Sequence, residues 1–182
     1  MAKDKKDAPK PAEAGAAPAQ DQQNAAQQPA NAPGVQVIAQ YIKDFSFENP
    51  NAPESLVSGW PQPETNVQIF LRHNQLKDDV YECTVNFRVE AKAKEKDKVC
   101  FIIDLSYGAL VVLKNIPKEN HQPVIMVEVP KLLFPFAREI VANVTSAGGY
   151  PPLFLTPISF ETIYINEVKR LQEQQKKAEA QG

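Results

Sequence analysis

The chain has 182 residues, 43% of them hydrophobic, and a formal net charge of −2 at neutral pH. That size and composition support one sizeable core and a single domain. Residues 35–168 carry twelve basic against sixteen acidic side chains, a mildly acidic body that makes nucleic acid a poor partner, because phosphate binding needs a clustered basic surface, and suits a basic partner better.

Residues 1–34 contain no aromatic or branched aliphatic side chain. They cannot bury enough apolar surface to offset ordering entropy, and they read as a disordered tail. They have neither the apolar centre of a secretory signal nor the Arg-rich character of a transit peptide. The first structured stretch is "YIKDFSFENPNAP", 41–53. As an extended strand it points Phe45 and Phe47 to one face and Asp44, Ser46 and Glu48 to the other. A helix would bring the two acids within one turn, but the Phe-Ser-Phe alternation and the following Asn-Pro-Asn-Ala-Pro favour the strand. Four residues of strand separate Asp44 and Glu48 by about 13 Å, wider than the roughly 5 to 9.5 Å of a carboxylate pair that hydrolyses glycosides. Two readings of these acids stand: a surface for a docking partner, or solvated charges that discourage unwanted pairing at a sheet edge.

Further along, "NVQIFLRH" (66–73) predicts a short strand with Val67, Ile69 and Leu71 on one side. "DVYECTVNFRVEAKAK" (79–94) is the clearest signal, with Tyr81, Cys83, Val85, Phe87, Val89, Ala91 and Ala93 alternating with polar residues. After the charged turn "KAKEKDK", "VCFIIDLSYGALVVL" (99–113) predicts a second long strand, antiparallel to the first. "PVIMVEVP" (123–130) reads as the last strand of a four-stranded antiparallel meander. "KLLFPFAREIVANVTSAGG" (131–149) then has helical apolar spacing at Phe136, Ile140, Val141 and Val144, ending at Gly148-Gly149. After the loop "YPPLFLTPIS", a second helix runs from about Phe160 to Gln172. The fold class is therefore α+β, a four-stranded antiparallel sheet with two helices packed on one face. Residues 169–182 read as a fraying helix end and a second tail, leaving 35–168 as the folded domain.

The strand 99–113 has two faces that both want cover. Phe101, Ile103, Leu105 and Tyr107 form an apolar face, and Cys100, Ile102, Asp104 and Ser106 a mixed one. Two helices cover one face of a sheet, so self-association is expected, with Ile103, Leu105 and Tyr107 at the oligomer interface. Cys83 and Cys100 lack CxxC spacing and read as small buried hydrophobes in a reducing compartment, and His73 and His121 have no ligand spacing. No metal site, cofactor or catalytic centre is expected, since the chain also lacks a Gly-rich phosphate loop and a GxSxG elbow. No apolar run reaches the roughly 18 residues of a membrane span, so a soluble protein is expected.

"YIKDFSFENPNAP", the nearby Trp60, "LKDDVYE" and above all "LLFPFAREIVANVTSAGGYPPLFLTPISF" (132–160) resemble the SecB protein-export chaperone family across 37–167. The resemblance implies a cytoplasmic homotetramer, a dimer of dimers, that holds unfolded secretory preproteins without ATP and delivers them to the translocation ATPase SecA. It also implies that an acidic surface on the sheet receives SecA. Carried over by position, that surface falls on Asp44, Glu48 and Asp104, with Ile102 as the apolar contact beside them. The long N-terminal tail, the lysine-rich turn and the weakly basic C-terminal tail depart from the family's usual pattern. A holdase needs apolar grooves with adaptable walls. Candidates for those walls are Trp60 in "SGWPQPE" and Tyr150, Leu153, Phe154 and Leu155 in "YPPLFLTP", which could equally close the core beneath two loops.

Overall fold

A computed structural model of the chain describes residues 32–57, 63–93 and 98–179. The expected N-terminal tail, apart from its last three residues, lies outside the described residues, as do Trp60 and the tip of the charged turn. Four strands, β1 (Gly34–Glu48), β2 (Pro63–Lys77), β3 (Val80–Ala93) and β4 (Lys98–Lys114), form one antiparallel sheet in the order β1-β4-β3-β2. β2, β3 and β4 follow one another as the sequence predicts. β2 extends to fifteen residues, well beyond 66–73.

The fourth strand is not 123–130 but β1, which begins at Gly34 and closes the far edge of β4. Residues 121–147 are helical throughout: a short turn α1 (His121–Pro123), a π-helical segment (Val124–Glu128) and the long helix α2 (Val129–Ala147). The apolar alternation in 123–130 has a different cause from strand pairing. Ile125, Val127 and Val129 are all buried in the core, while α3 (Phe160–Glu179) also packs against the π-helical segment. Covered on more than one side, the segment loses the single narrow apolar stripe by which a surface helix is recognised.

β3 behaves as its alternation demands. Cys83, Val85, Phe87, Val89 and Ala91 are buried, facing Ile103, Leu105 and Tyr107 of β4 on the same side. α2 covers that side with a row spaced four residues apart, Val129, Leu133, Ala137, Val141 and Thr145, each fully enclosed. The helix face therefore differs from the one suggested by Phe136, which is exposed. Ile103, Leu105 and Tyr107 are likewise enclosed within the chain, so they form part of its own core and not the expected oligomer interface. Their apolarity is already accounted for by α2; Tyr107 stacks on Phe136 at 6.3 Å between ring centroids.

The connections are pinned by specific polar contacts. The β2–β3 turn places Asp79 at φ 61°, a conformation Asp tolerates, and its carbonyl accepts from the Leu113 amide at 2.8 Å. His121, buried at the start of the helical run, lies 2.9 Å from both the Tyr81 hydroxyl and the Ile116 carbonyl. At the far end of α2, Gly149 takes φ 87° to reverse the chain. The buried Thr145 hydroxyl donates to Val141 O and accepts from the Leu153 amide, both at 2.9 Å, tying the returning loop to the helix.

Candidate docking face and apolar groove

The sheet face opposite α2 is open, and its register brings three rungs side by side. Asp44, Ser106, Asn86 and Phe70 form one row across β1-β4-β3-β2; Ser46, Asp104, Arg88 and Gln68 form the next; Glu48, Ile102, Glu90 and Asn66 the third. Asp44, Glu48, Asp104 and Ile102 thus meet on one surface, with Asp104 in the rung between the two β1 acids. They come together because antiparallel pairing of β1 with β4 aligns two alternating segments distant in sequence.

The electrostatics of this face are uneven. Asp44 and Glu48 have no hydrogen bond or ion pair among the described residues. Asp104 is engaged: Arg88 Nη1 donates to Oδ2 at 2.9 Å and to Oδ1 at 3.1 Å. Glu82 accepts from Lys43 Nζ at 2.7 Å and the Tyr41 hydroxyl at 2.6 Å, and these donors hold its carboxyl below the usual value despite partial burial. A depression of about 360 Å³ lies between Asp44, Asp104 and Arg88, with the exposed ring of Phe70 beside them and a hydrogen-bonded Ser106–Asn86 pair in its floor. Arg88 and Phe70 were not singled out from the sequence. The alternation of 79–94 puts Arg88 on the wet face, but only the register sets it against Asp104.

The apolar groove lies at one end of the sheet. Leu56, Val57, Thr65, Phe101, Tyr150 and Leu153 line a cavity of about 530 Å³ between the loop after β1 and the loop after α2. Its floor is built around the Tyr150 hydroxyl, which is 2.7 Å from Ser55 Oγ, 2.9 Å from Asn49 Oδ1 and 3.0 Å from the Cys100 carbonyl. The Tyr150 ring packs on Phe101 at 4.9 Å and Phe101 on Phe47 at 6.1 Å, and burial raises the Tyr150 hydroxyl above its ordinary pKa. Of the expected wall residues, Tyr150 and Leu153 line this groove. Phe154, 61% exposed, lies in a neighbouring depression under Arg138, whose guanidinium carbon is 5.6 Å from the ring centroid. Leu155 is buried in the core. Leu56, Val57 and Phe101 were missed, because only the folded chain brings the two loops together over β4.

Burial pushes the Cys83 thiol up to about 12, so it stays protonated near neutral pH. Among the described residues no three His, Cys, Asp or Glu side chains converge to hold a metal ion, and no helix is long and apolar enough to cross a membrane.

The family model of SecB, the preprotein translocase subunit, matches residues 27–171. A protein-export protein SecB from Rhodopseudomonas palustris (strain BisB5) is 46% identical over 143 residues, covering 79% of this chain and 89% of that relative. A protein-export protein SecB from Bradyrhizobium diazoefficiens is 46% identical over 141 residues, covering 78% and 86%. The solved SecB-like chaperone Rv1957 of Mycobacterium tuberculosis, in complex with a ChAD peptide from the Rv1956 HigA1 antitoxin, is similar in fold, with a TM-score of 0.57 over 69% of this chain and 91% of that one at 14% identity. A sheet with one open acidic face, helices on the other and an apolar groove at its end, matched along most of its length by these relatives, makes this chain a member of the SecB family of protein-export chaperones.

Proposed function

We propose that this chaperone works in the cytoplasm without ATP, holding unfolded secretory preproteins and passing them to SecA. Client segments lie in the apolar groove walled by Leu56, Val57, Phe101, Tyr150 and Leu153, with Phe154 extending it. SecA docks on the open sheet face through Asp44, Glu48 and Asp104, with Ile102 supplying apolar contact. The observation that carries this reading is the separation of the two surfaces: carboxylates on a solvent-facing sheet, and apolar side chains gathered in a cavity at its end. Apolar burial suits many unfolded sequences without demanding one of them. Charged rim contacts suit a defined basic partner and set its association rate.

The working form is a homotetramer, a dimer of dimers. Support comes from apolar side chains left uncovered in the single chain: Ile38 and Ile42 along the β1 edge, and Leu132 and Phe136 on α2. Such surfaces are costly to leave in water.

One pair of substitutions tests the division of labour. Asp44→Asn with Glu48→Gln should weaken SecA binding by about 0.2 to 1 kcal/mol for each exposed ion pair removed, increasingly so at low ionic strength. Suppression of aggregation of an unfolding client, and the tetrameric mass by light scattering, should be unchanged. Unaltered SecA affinity overturns the docking role, and parallel loss of both activities means that the fold was disturbed.

A further inference from the structure

Asp44, Glu48 and Asp104 are not equally available on the open face, and the difference among these three traces to one residue. Among the described residues Asp44 and Glu48 stand unpaired on β1, whereas both oxygens of Asp104 are occupied by Arg88 from the neighbouring strand. The two side chains are opposite partners in the β3–β4 ladder, so the contact is built into the register. Both are solvent-accessible, 52% for Arg88 and 40% for Asp104. They border the same depression as Asp44 and Phe70.

We propose that Arg88 is a built-in competitor for Asp104: its guanidinium occupies the carboxylate that a basic partner needs, so that docking proceeds by exchange of one cation for another. The inference rests on the docking role of this face and specifies how that role is regulated. Its geometry makes exchange feasible. Arg88 uses a single nitrogen, Nη1, for both contacts, and neither Nη2 nor Nε bonds to the carboxylate. A partner arginine approaching from solvent with two parallel N–H donors makes the stronger, bidentate pair, while a lysine, with one compact ammonium, competes less well. Arg88 therefore also selects among partners, favouring arginine over lysine at the Asp104 position. Once displaced, its side chain has solvent and Phe70 beside it.

The size of the effect follows from the population of the closed pair. An exposed ion pair of ordinary strength keeps Asp104 occupied most of the time, and partner affinity falls by the fraction left open. Removing Arg88 should tighten docking by about two- to sixfold. The salt response gives a second, independent readout. In the wild type one pair at Asp104 replaces another, so little net pairing there is screened; without Arg88 the partner's pair is wholly new, and affinity falls more steeply with salt.

The experiment titrates purified SecA against the full chain at low and moderate ionic strength, using wild type, Arg88→Gln, Arg88→Lys, Asp104→Asn, and Asp44→Asn with Glu48→Gln. The expected result is tighter binding and a steeper salt dependence for Arg88→Gln, values between wild type and Arg88→Gln for Arg88→Lys, and weaker binding for both acid-replacing variants. Thermal unfolding of each variant, which should change little at these exposed positions, shows that the fold is intact. If the acid-replacing variants weaken binding but Arg88→Gln binds no tighter than wild type, the competitor role is overturned and the docking face stands. If no acid replacement changes SecA binding, the docking face itself is wrong, and the role of Arg88 goes with it.

Discussion

Replacing Tyr150 by Phe removes one oxygen from the floor of the apolar groove and leaves its aromatic ring in place. The hydroxyl has a single proton, which it donates to Asn49 Oδ1 or to the Cys100 carbonyl, while Ser55 Oγ lies within 2.7 Å to donate in return. Two hydrogen bonds are therefore removed at a time. At about 0.5 to 1.5 kcal/mol net for each, the loss is about 2 kcal/mol. Ser55 is buried, and its remaining partner, Asn49 Oδ1, is 3.4 Å away, so relaxation recovers little of it. The ring keeps its packing on Phe101, which rules out a cavity contribution. Urea unfolding at fixed protein concentration should show the midpoint falling at constant slope, and thermal unfolding a loss of roughly 4 to 8 °C. Because the same hydroxyl anchors the segment that carries Leu56 and Val57, affinity for an unfolded client should fall as well. A stability change below about 0.5 kcal/mol, with client binding unaltered, would refute the idea that this hydroxyl organises the groove.

A second substitution probes the same corner by crowding it. At Gly148 the backbone φ is −75°, which any residue adopts, yet an added Cβ would stand 2.3 Å from the tip of the Phe47 ring. Gly148→Ala should cost about 1 kcal/mol, the low end for overpacking because a ring tip can yield, and a second change, Phe47→Leu, should return part of it in urea unfolding. For acid stability, the Glu82 carboxyl is held below its ordinary value of 4.5, first by the Lys43 hydrogen bond and then by that of Tyr41. A lowered carboxyl pKa stabilises the fold above 4.5 and that contribution is lost as pH falls through the folded value. Glu82→Gln should flatten that part of the stability profile, read as urea midpoints across the acid range, and an unchanged profile refutes the role of this cluster.

The sequence displays β3 and β4 openly because each has one face in the core and one in water, and a period of two survives in the residue order. Asp44 and Glu48 were placed on a shared face by the same logic, and Ile102 beside Asp104 likewise. What the residue order hides is pairing between distant segments. The covering edge of β4 is β1, about sixty residues earlier in the chain, and nothing local in 34–48 names its partner. The segment 123–130 misleads for a related reason: enclosure on more than one side erased the stripe that marks a helix. Ile103 and Leu105 were right as apolar residues needing cover, but α2 supplies that cover within the chain. Phe101 shows the same limit at the groove. It reads simply as a core residue until the Tyr150 loop folds back over it.

β4 is the element common to both surfaces. Its Cys100 carbonyl accepts from Tyr150 and its Phe101 ring floors the groove, while Ile102 and Asp104 lie on the open face of the sheet. A central strand paired on both edges along its length has little freedom to move. It does not serve as a flexible relay; it holds the two surfaces at fixed separation. On the proposed reading, client and partner meet one strand without sharing a side chain, so each should bind while the other is present. The chain joins the two surfaces through the loop 49–57, which carries Leu56 and Val57 and begins immediately after Glu48. Glu48 ends β1 on the acidic face and Asn49 starts the hydrogen-bonded corner under the groove, with Asn49 Nδ2 also donating to the Gly148 carbonyl at 3.2 Å. A partner that pulls on Glu48 acts, one residue away, on the anchor of the groove's wall. On the proposed reading, coupling between partner docking and client release is expected at the Glu48–Asn49 junction.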